Sequence, residues 1–203
     1  MTRMMGRLVS ALAATLLGTA LLASPALADI GGPSYQFIKA VKEKDLAKVN
    51  TLLNEPGAAI IDYRDNDTGE GALHMVVKRR DLPWLNYLLS KGANPNLEDG
   101  NGNTPLILAA SQGFADGVRS LVAFKADVNG RNRAGETPLI KAVQALNVQV
   151  VRILMAAGAD PDLADHVAGY SAIDYAERNR RAGTILRLMK NPPKAEETAA
   201  AGE

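Results

Sequence analysis

Asn103-Thr104-Pro105-Leu106 returns further along the chain as Glu136-Thr137-Pro138-Leu139. A second marker has the same period, because Gly92-Ala93-Asn94 is followed by Lys125-Ala126-Asp127 and then by Gly158-Ala159-Asp160. Two different motifs that share one 33-residue spacing indicate an internal structural repeat. The chain is therefore predicted to be a stack of similar units.

The Thr-Pro-Leu segment has the chemistry of a helix start. A residue before proline is pushed towards extended backbone, which is the conformation of an N-cap. The threonine hydroxyl can then accept a hydrogen bond from the first turn, and proline suits the first helical position because no N–H is needed there. Thr104 and Thr137 are therefore predicted N-caps. Gly92 and Gly158 are predicted to end helices in a left-handed conformation. Lys125 stands where a third such glycine is expected, so this helix end should be strained by about 1 kcal/mol.

A unit of N-cap, short helix, turn, second helix and glycine stop, repeated at this spacing, resembles the ankyrin repeat. The Thr-Pro-Leu-His-x-Ala signature of that family has counterparts here, of which the inner two are close matches and the outer two are degraded. They are Gly71-Ala72-Leu73-His74-Met75-Val76, Thr104-Pro105-Leu106-Ile107-Leu108-Ala109, Thr137-Pro138-Leu139-Ile140-Lys141-Ala142 and Ser171-Ala172-Ile173-Asp174-Tyr175-Ala176. The resemblance implies an all-α solenoid of about five helix-turn-helix repeats with short β-hairpin-like finger loops.

The repeat domain is predicted to span residues 35–190. Its repeats are expected at residues 35–65, 66–98, 99–131, 132–164 and 165–190. Residues 29–34 are predicted to be a flexible lead-in. Residues 191–203 are predicted to be a disordered tail, because Pro192-Pro193 stops the last helix and little that follows can be buried.

Apolar residues at spacings of three and four predict two amphipathic helices in each repeat. In the third repeat, for example, Leu106 and Leu121 are expected to face the core. The same spacing in the terminal repeats places Leu46 and Leu188 in the core. Polar outer surfaces on both terminal repeats predict a monomer.

Residues 1–28 have the pattern of a secretory signal peptide. Arg3 and Arg7 precede a nearly unbroken apolar run that extends from Leu8 to Ala23, and Ala26-Leu27-Ala28 supplies a small-x-small cleavage site. The alternative is an uncleaved membrane anchor, but the run is shorter than the roughly 20 residues that span a bilayer. Cleavage after Ala28 is predicted, and the alanine-rich style of the segment looks bacterial, which places the mature protein in the periplasm or outside the cell.

The net charge of the chain bears on its partners, and its lack of cysteine bears on its stability. Removal of Arg3 and Arg7 from 23 basic residues leaves 21 against 22 acidic residues in the mature chain. A nearly neutral chain exerts no long-range attraction on nucleic acid or anionic lipid, so neither is a predicted partner. The chain has no cysteine, so its stability is expected to come from packing between repeats.

Few side chains offer catalysis or metal binding. The chain has only two histidines, His74 and His166, and the resemblance implies that His74 bonds the backbone of neighbouring loops. Residues 65–69 have the composition of a calcium loop, but Arg64 then falls at the first ligand position. The glycines of residues 99–103 lack the lysine and preceding strand of a phosphate-binding loop. Neither an enzyme nor a cofactor or metal site is predicted.

The resemblance implies a binding surface instead. In the family, the finger positions before Thr-Pro-Leu and the polar positions late in the first helix contact partner proteins along a concave face. The finger positions here are Asp67, Glu70, Asn101, Asn103, Arg133, Glu136 and Tyr170. The helix positions are Lys78, Arg79, Ser111, Gln112, Gln144, Arg178 and Asn179. Tyr170 is the expected anchor, because aromatic and arginine side chains dominate interface energetics.

The resulting hypothesis is a non-enzymatic periplasmic scaffold that binds another protein. Exported bacterial ankyrin proteins have been linked to protection against peroxide alongside catalase, so the resemblance implies a role in oxidative-stress defence. One alternative is a secreted effector or immunity protein that binds a host or foreign protein. The other is an enzyme or small-ligand-binding protein whose site is built on the fingers.

Overall fold

A computed structural model describes residues 32–55 and 60–191. These residues form ten α-helices and one 3₁₀ turn, Arg180–Ala182, and none of them lies in a β-strand. The helices are α1 (Pro33–Glu43), α2 (Leu46–Leu53), α3 (Ala72–Lys78), α4 (Leu82–Ser90), α5 (Pro105–Ser111), α6 (Ala115–Ala123), α7 (Pro138–Gln144), α8 (Val148–Ala156), α9 (Ala172–Arg178) and α10 (Gly183–Lys190).

Consecutive helices form five pairs, numbered repeat 1 (α1 and α2) to repeat 5 (α9 and α10). The first helix of each pair packs against the first helix of the next, from α1 to α9. The second helices from α4 to α10 pack on one another in the same way. The predicted all-α stack of helix-turn-helix repeats is confirmed.

The described residues cover only some of the segments into which the chain was predicted to divide. Pro33 and Ser34, assigned above to the lead-in, are the first residues of α1, because the fixed φ of proline suits the first helical position. The predicted signal peptide and, after Asn191, the predicted tail lie outside the described residues. Within the part of the chain that is described, no helix is both long and apolar enough to cross a bilayer.

The predicted helix starts and stops are present. Thr104 Oγ1 accepts a hydrogen bond from Ile107 N–H at 3.3 Å, and Thr137 Oγ1 accepts one from Ile140 N–H at 3.2 Å. At the helix ends, Gly92 and Gly158 have φ of 89° and 86°. Lys125 has a φ of 66° and occupies the equivalent left-handed position despite its side chain.

The core lies between the two layers of helices. Leucines with completely buried side chains fill it: Leu85, Leu88, Leu106, Leu121, Leu139 and Leu154. Ala109 and Ala142, which are also fully buried, lie on α5 and α7. Their small side chains allow these two first helices to approach each other closely.

Two core predictions in the terminal repeats are wrong. Leu46 is 48 % exposed, because at the first position of α2 it reaches the outer surface, where it borders a cleft of about 140 Å³ with Trp84 and Tyr87. Leu188 is only partly buried, and Met189 takes the core position in α10 at 4 % exposure. Met189 lies four residues after the buried Ile185 and therefore on the same face of the helix.

Candidate functional site on the inner face

A hairpin-like loop, which we call a finger, precedes the first helix of repeats 2 to 5. The first residue of each finger donates its N–H to the carbonyl oxygen of the last, at 2.9–3.1 Å. The fingers are residues 65–70, 99–103, 132–136 and 165–170. Each begins with Asp or Asn, whose side chain accepts backbone N–H groups of the loop, as Asp99 Oδ1 does from Asn101 and Asn103 at 2.8 Å. These turns fix the shape of every finger.

Backbone hydrogen bonds join each finger to the next. They are Gly100 N–H to Thr68 O at 2.9 Å, Arg133 N–H to Asn101 O at 3.1 Å and His166 N–H to Ala134 O at 2.8 Å. A Cβ atom on Gly100 would lie 2.7 Å from Thr68 O, so the first of these contacts requires glycine. The fingers and the first helices together form one surface, which we call the inner face.

His74 connects two repeats beneath this face. It is fully buried, and its Nδ1 accepts a hydrogen bond from Gly71 N–H at 3.1 Å. Its Nε2 therefore carries the proton, which it donates to Asn103 O at 2.9 Å. Burial lowers the pKa of the imidazole below its ordinary value, although the bond to Asn103 and the charge of Asp99 oppose this shift. The predicted structural role of His74 is confirmed.

Two adjacent arginines at the end of α3 contact the repeats on either side. The Arg79 guanidinium donates to Val41 O at 3.0 Å and to Lys42 O at 3.1 Å. The Arg80 guanidinium donates in the other direction, to Gln112 O at 3.1 Å and to the next carbonyl at 3.3 Å. Both therefore bond carbonyl groups at the ends of neighbouring helices and link repeat 2 to repeats 1 and 3. Arg79, predicted as a partner contact, is engaged within the stack.

One pair of positions distinguishes the repeats on the inner face. The last residue of each finger lies eight positions before the end of the first helix, and we call these two residues the inner pair. In repeat 2 they form an ion pair, Glu70 with Lys78. In repeat 4, Gln144 Nε2 donates to Glu136 Oε1 at 3.3 Å. In repeat 5, the Arg178 guanidinium lies 3.9 Å from the centroid of the Tyr170 ring.

Repeat 3 lacks such a contact. Its inner pair is Asn103 and Ser111, and the Ser111 hydroxyl donates to Leu108 O at 2.8 Å. The Asn103 amide donates to Asp99 Oδ2 at 3.2 Å, so the two side chains are bonded elsewhere. Since both are short, a space remains between the fingers and helices of repeats 3 and 4.

This space is a cleft of about 520 Å³, which we call the repeat 3 cleft. Its lining is Asn101, Asn103, Ile107, Leu108, Ser111, Asn132, Arg133, Ala134, Glu136 and Lys141. The partly buried Leu108 provides an apolar surface, while amides and charged groups surround it. Such a combination can bury an apolar group of a ligand while polar groups fix its orientation.

A hydrogen-bond network stiffens one wall of the cleft. Glu136 Oε2 accepts from Asn132 Nδ2 at 2.9 Å, and Lys141 Nζ lies 3.1 Å from Glu136 Oε1. Burial alone would raise the pKa of Glu136, but the bonds from Asn132 and Lys141 outweigh it and hold that pKa below its ordinary value. The carboxylate is thus ionised and fixed in place at neutral pH.

The predicted contact residues have different environments. Five line the repeat 3 cleft: Asn101, Asn103, Ser111, Arg133 and Glu136. Three border a second cleft of about 400 Å³: Gln144, Arg178 and Asn179. Two are exposed at other points, Asp67 on the first finger and Gln112 at the end of α5. The remaining residues contact their own repeat or a neighbour, namely Glu70, Lys78, Arg79 and Tyr170.

Several lining residues of the cleft were not predicted. Asn132 could have been predicted from the sequence, because it lies one repeat period away from both Asp99 and Asp165, which are the first residues of the neighbouring fingers. Leu108 could not have been predicted, since nothing in its position within α5 distinguishes it from the other apolar residues of that helix. In the described part of the chain, no group of three or more His, Asp or Glu side chains is arranged to hold a metal ion.

The sequence is similar to those of known ankyrin repeat proteins. The family model described as "Ankyrin repeats (3 copies)" matches residues 37–132 and again residues 73–165. A putative palmitoyltransferase ZDHHC13 from Danio rerio is 39% identical over 114 residues, which cover 54% of this chain and 18% of that protein. The putative ankyrin repeat protein FPV031 from Fowlpox virus is 36% identical over 112 residues, which cover 53% of this chain and 32% of that protein.

A longer match is to the ANK repeat-containing protein nipk-1 from Caenorhabditis elegans. It is 30% identical over 154 residues, which cover 65% of this chain and 25% of that protein. The chain therefore spans less than a third of the length of each of these relatives. The similarity lies in shared repeats, and it does not extend to the rest of those proteins.

Proposed function

The chain belongs to the ankyrin repeat family, and from that premise we propose that it binds a partner protein along its inner face without catalysing a reaction. Ankyrin repeats are protein interaction modules. The observation that carries the proposal is the repeat 3 cleft, which opens where the inner pair, Asn103 and Ser111, makes no contact. We infer that a partner side chain occupies this cleft.

The fixed geometry of the cleft favours tight recognition. Hydrogen bonds hold its walls, as at Glu136, and the fingers are joined to one another through the backbone. A surface that is already ordered loses little conformational entropy when a partner binds. The partner is expected to present an apolar group to Leu108 and polar groups to the surrounding amides.

Affinity capture with matched variants tests this function. The bait proteins are the wild type, Ser111→Arg, which fills the cleft, and Gln149→Arg, which adds the same side chain to an exposed position of α8. A protein captured by the wild type and by Gln149→Arg, but not by Ser111→Arg, is the expected result. Equal capture by all three baits would contradict the proposal.

We also propose that the protein acts outside the cytoplasm, as a scaffold in oxidative-stress defence. The support is the signal-like pattern of residues 1–28 and the resemblance to exported ankyrin proteins linked to peroxide protection. N-terminal sequencing of the protein from its native host should find Asp29 as the first residue. A deletion strain should survive peroxide less well than its complemented parent, and normal survival would contradict the protective role.

A further inference from the structure

The second cleft, between α7 and α9, indicates the chemistry of one partner group. We propose that Arg178 in this cleft binds a carboxylate side chain of an acidic segment of the partner, an inference that rests on the proposed function. The cleft measures about 400 Å³ and is lined by Val143, Gln144, Tyr175, Arg178, Asn179 and Arg180.

A chain of contacts holds the Arg178 guanidinium at this cleft. Its carbon atom lies 3.9 Å from the centroid of the Tyr170 ring, and that ring meets Tyr175 edge to face at 5.6 Å between centroids. The Tyr175 hydroxyl donates to Asp165 Oδ2 at 2.6 Å. Asp165 Oδ1 in turn accepts backbone N–H groups from residues 167–169 at 2.6–3.1 Å. The guanidinium is therefore positioned before any ligand arrives.

Stacking leaves the binding capacity of the guanidinium available. A ring contacts the face of the group, whereas its N–H donors point outwards in its plane. Those donors match the two oxygens of a carboxylate, which accept a pair of parallel hydrogen bonds. Arg178 is exposed, so a partner can reach these donors.

The charges around the cleft also favour an anion. None of the salt bridges among the described residues uses Arg178, Arg180 or Arg181. The acidic groups of the same repeat are already engaged. Asp174 accepts from the backbone and hydroxyl of Ser171 at 2.8 and 2.7 Å, and Glu177 pairs with Lys190 at 3.0 Å. Asp174 keeps its negative charge and attracts Arg178, but residues 165–190 contain five basic side chains against three acidic ones, so an incoming carboxylate meets excess positive charge.

The other inner pairs do not offer the same chemistry. At the position equivalent to Arg178, Lys78 is paired with Glu70, and Gln144 is neutral and bonded to Glu136. Repeat 5 alone among the described inner pairs presents a cation held by an aromatic ring. A partner that extends from the repeat 3 cleft to this end is therefore expected to place an acidic residue on Arg178.

A titration with a defined probe tests the carboxylate site without the partner. The probe is a hexaglutamate peptide, acetylated and amidated, and hexaglutamine is the uncharged control. The signals of the Arg178 Nε–H and of Asn179 in the ¹⁵N–¹H spectrum should shift and saturate with hexaglutamate only. Arg178→Gln should weaken this binding about fivefold or more, whereas Arg187→Gln, an exposed change on α10, should leave it within about twofold.

The outcomes distinguish the proposal from general attraction between charges. Equal weakening by the two arginine variants, or shifts spread over the whole surface, would overturn it, as would the absence of a saturating shift. Tyr170→Leu should also weaken binding, because it removes the ring that positions the guanidinium, while Tyr170→Phe should restore it. Capture of one partner by the wild type and equally by Arg178→Gln would refute the carboxylate site and leave the proposed function intact.

Discussion

Repeats 3 and 4 have nearly interchangeable interiors, whereas their inner faces differ. Leu106 and Leu139 are both completely buried, and a threonine hydroxyl caps the first helix in each repeat. On the surface, however, Ser111 bonds its own helix backbone, while Gln144 reaches back to Glu136. The first arrangement leaves the apolar surface of Leu108 open to the repeat 3 cleft, whereas the second places a polar contact, Gln144 with Glu136, beside the smaller second cleft.

This difference separates the residues that specify the fold from those that determine binding. The buried residues and caps recur because every repeat must pack on its neighbours. The second member of the inner pair varies more freely, since Ser111 and Gln144 make no hydrogen bond to a neighbouring repeat, whereas Asn103 accepts one from Asn132 of repeat 4 at 3.0 Å. Changes at buried positions should therefore alter stability in both repeats alike, and changes at Ser111 or Gln144 should alter mainly binding.

Truncation of the equivalent leucines should give the largest effect. Leu106→Ala and Leu139→Ala each remove a fully buried side chain and should lower the free energy of unfolding by about 2–5 kcal/mol. Urea unfolding of the two variants measures this. A loss confined to one of them would show that the interiors are not equivalent.

Removal of the caps should have a smaller and matched effect. Thr104→Ala and Thr137→Ala each leave one N–H of the first turn without its side-chain acceptor, which should cost about 1 kcal/mol. Thermal or urea unfolding can resolve that difference. A loss of stability in only one of the two variants would show that the two caps are not equivalent.

A pH effect should come from His74, which joins repeats 2 and 3. Burial lowers its pKa in the folded protein below the ordinary value of 6.5, so the unfolded chain takes up a proton first as the pH falls. The stability due to neutral His74 is complete above that value and is lost as the pH drops from there towards the lower folded pKa.

Urea unfolding across this range, for the wild type and His74→Gln, measures the contribution. The difference in stability between the two proteins should shrink as the pH falls below about 6.5. A constant difference at all these pH values would mean that the histidine does not titrate as its burial implies.

The sequence was sufficient to predict the fold because the repeated motifs carry local physics. A threonine before proline starts a helix wherever it occurs, and Thr104 and Thr137 both do so. Leu46 was misplaced because helical spacing alone does not show which residues reach the outer edge of a terminal pair. Its exposure depends on the neighbouring repeat.

The candidate site was only partly predictable, for a related reason. The resemblance was sufficient to predict which positions lie on the inner face. It could not show which of their side chains bond within the protein and which are available to a partner. Lys78 and Arg79 are adjacent, yet one pairs with Glu70 and the other reaches the end of α1. The cleft itself requires two short side chains that bond elsewhere, which depends on the arrangement of Asp99 and Leu108 around them.

The smallest expected change in stability belongs to Ser111→Arg, which fills the cleft with a side chain like that of Arg178 in repeat 5. Together with Gln149→Arg, it should unfold within about 0.5 kcal/mol of the wild type, because both positions lie outside the core. The role of the repeat 3 cleft is tested by the dissociation constant of the captured partner, measured by calorimetry with these three proteins. We predict that Ser111→Arg weakens binding about tenfold or more, a loss of about 1.4 kcal/mol, and that Gln149→Arg leaves it unchanged. Binding by Ser111→Arg as tight as by the wild type would contradict the central role of the repeat 3 cleft.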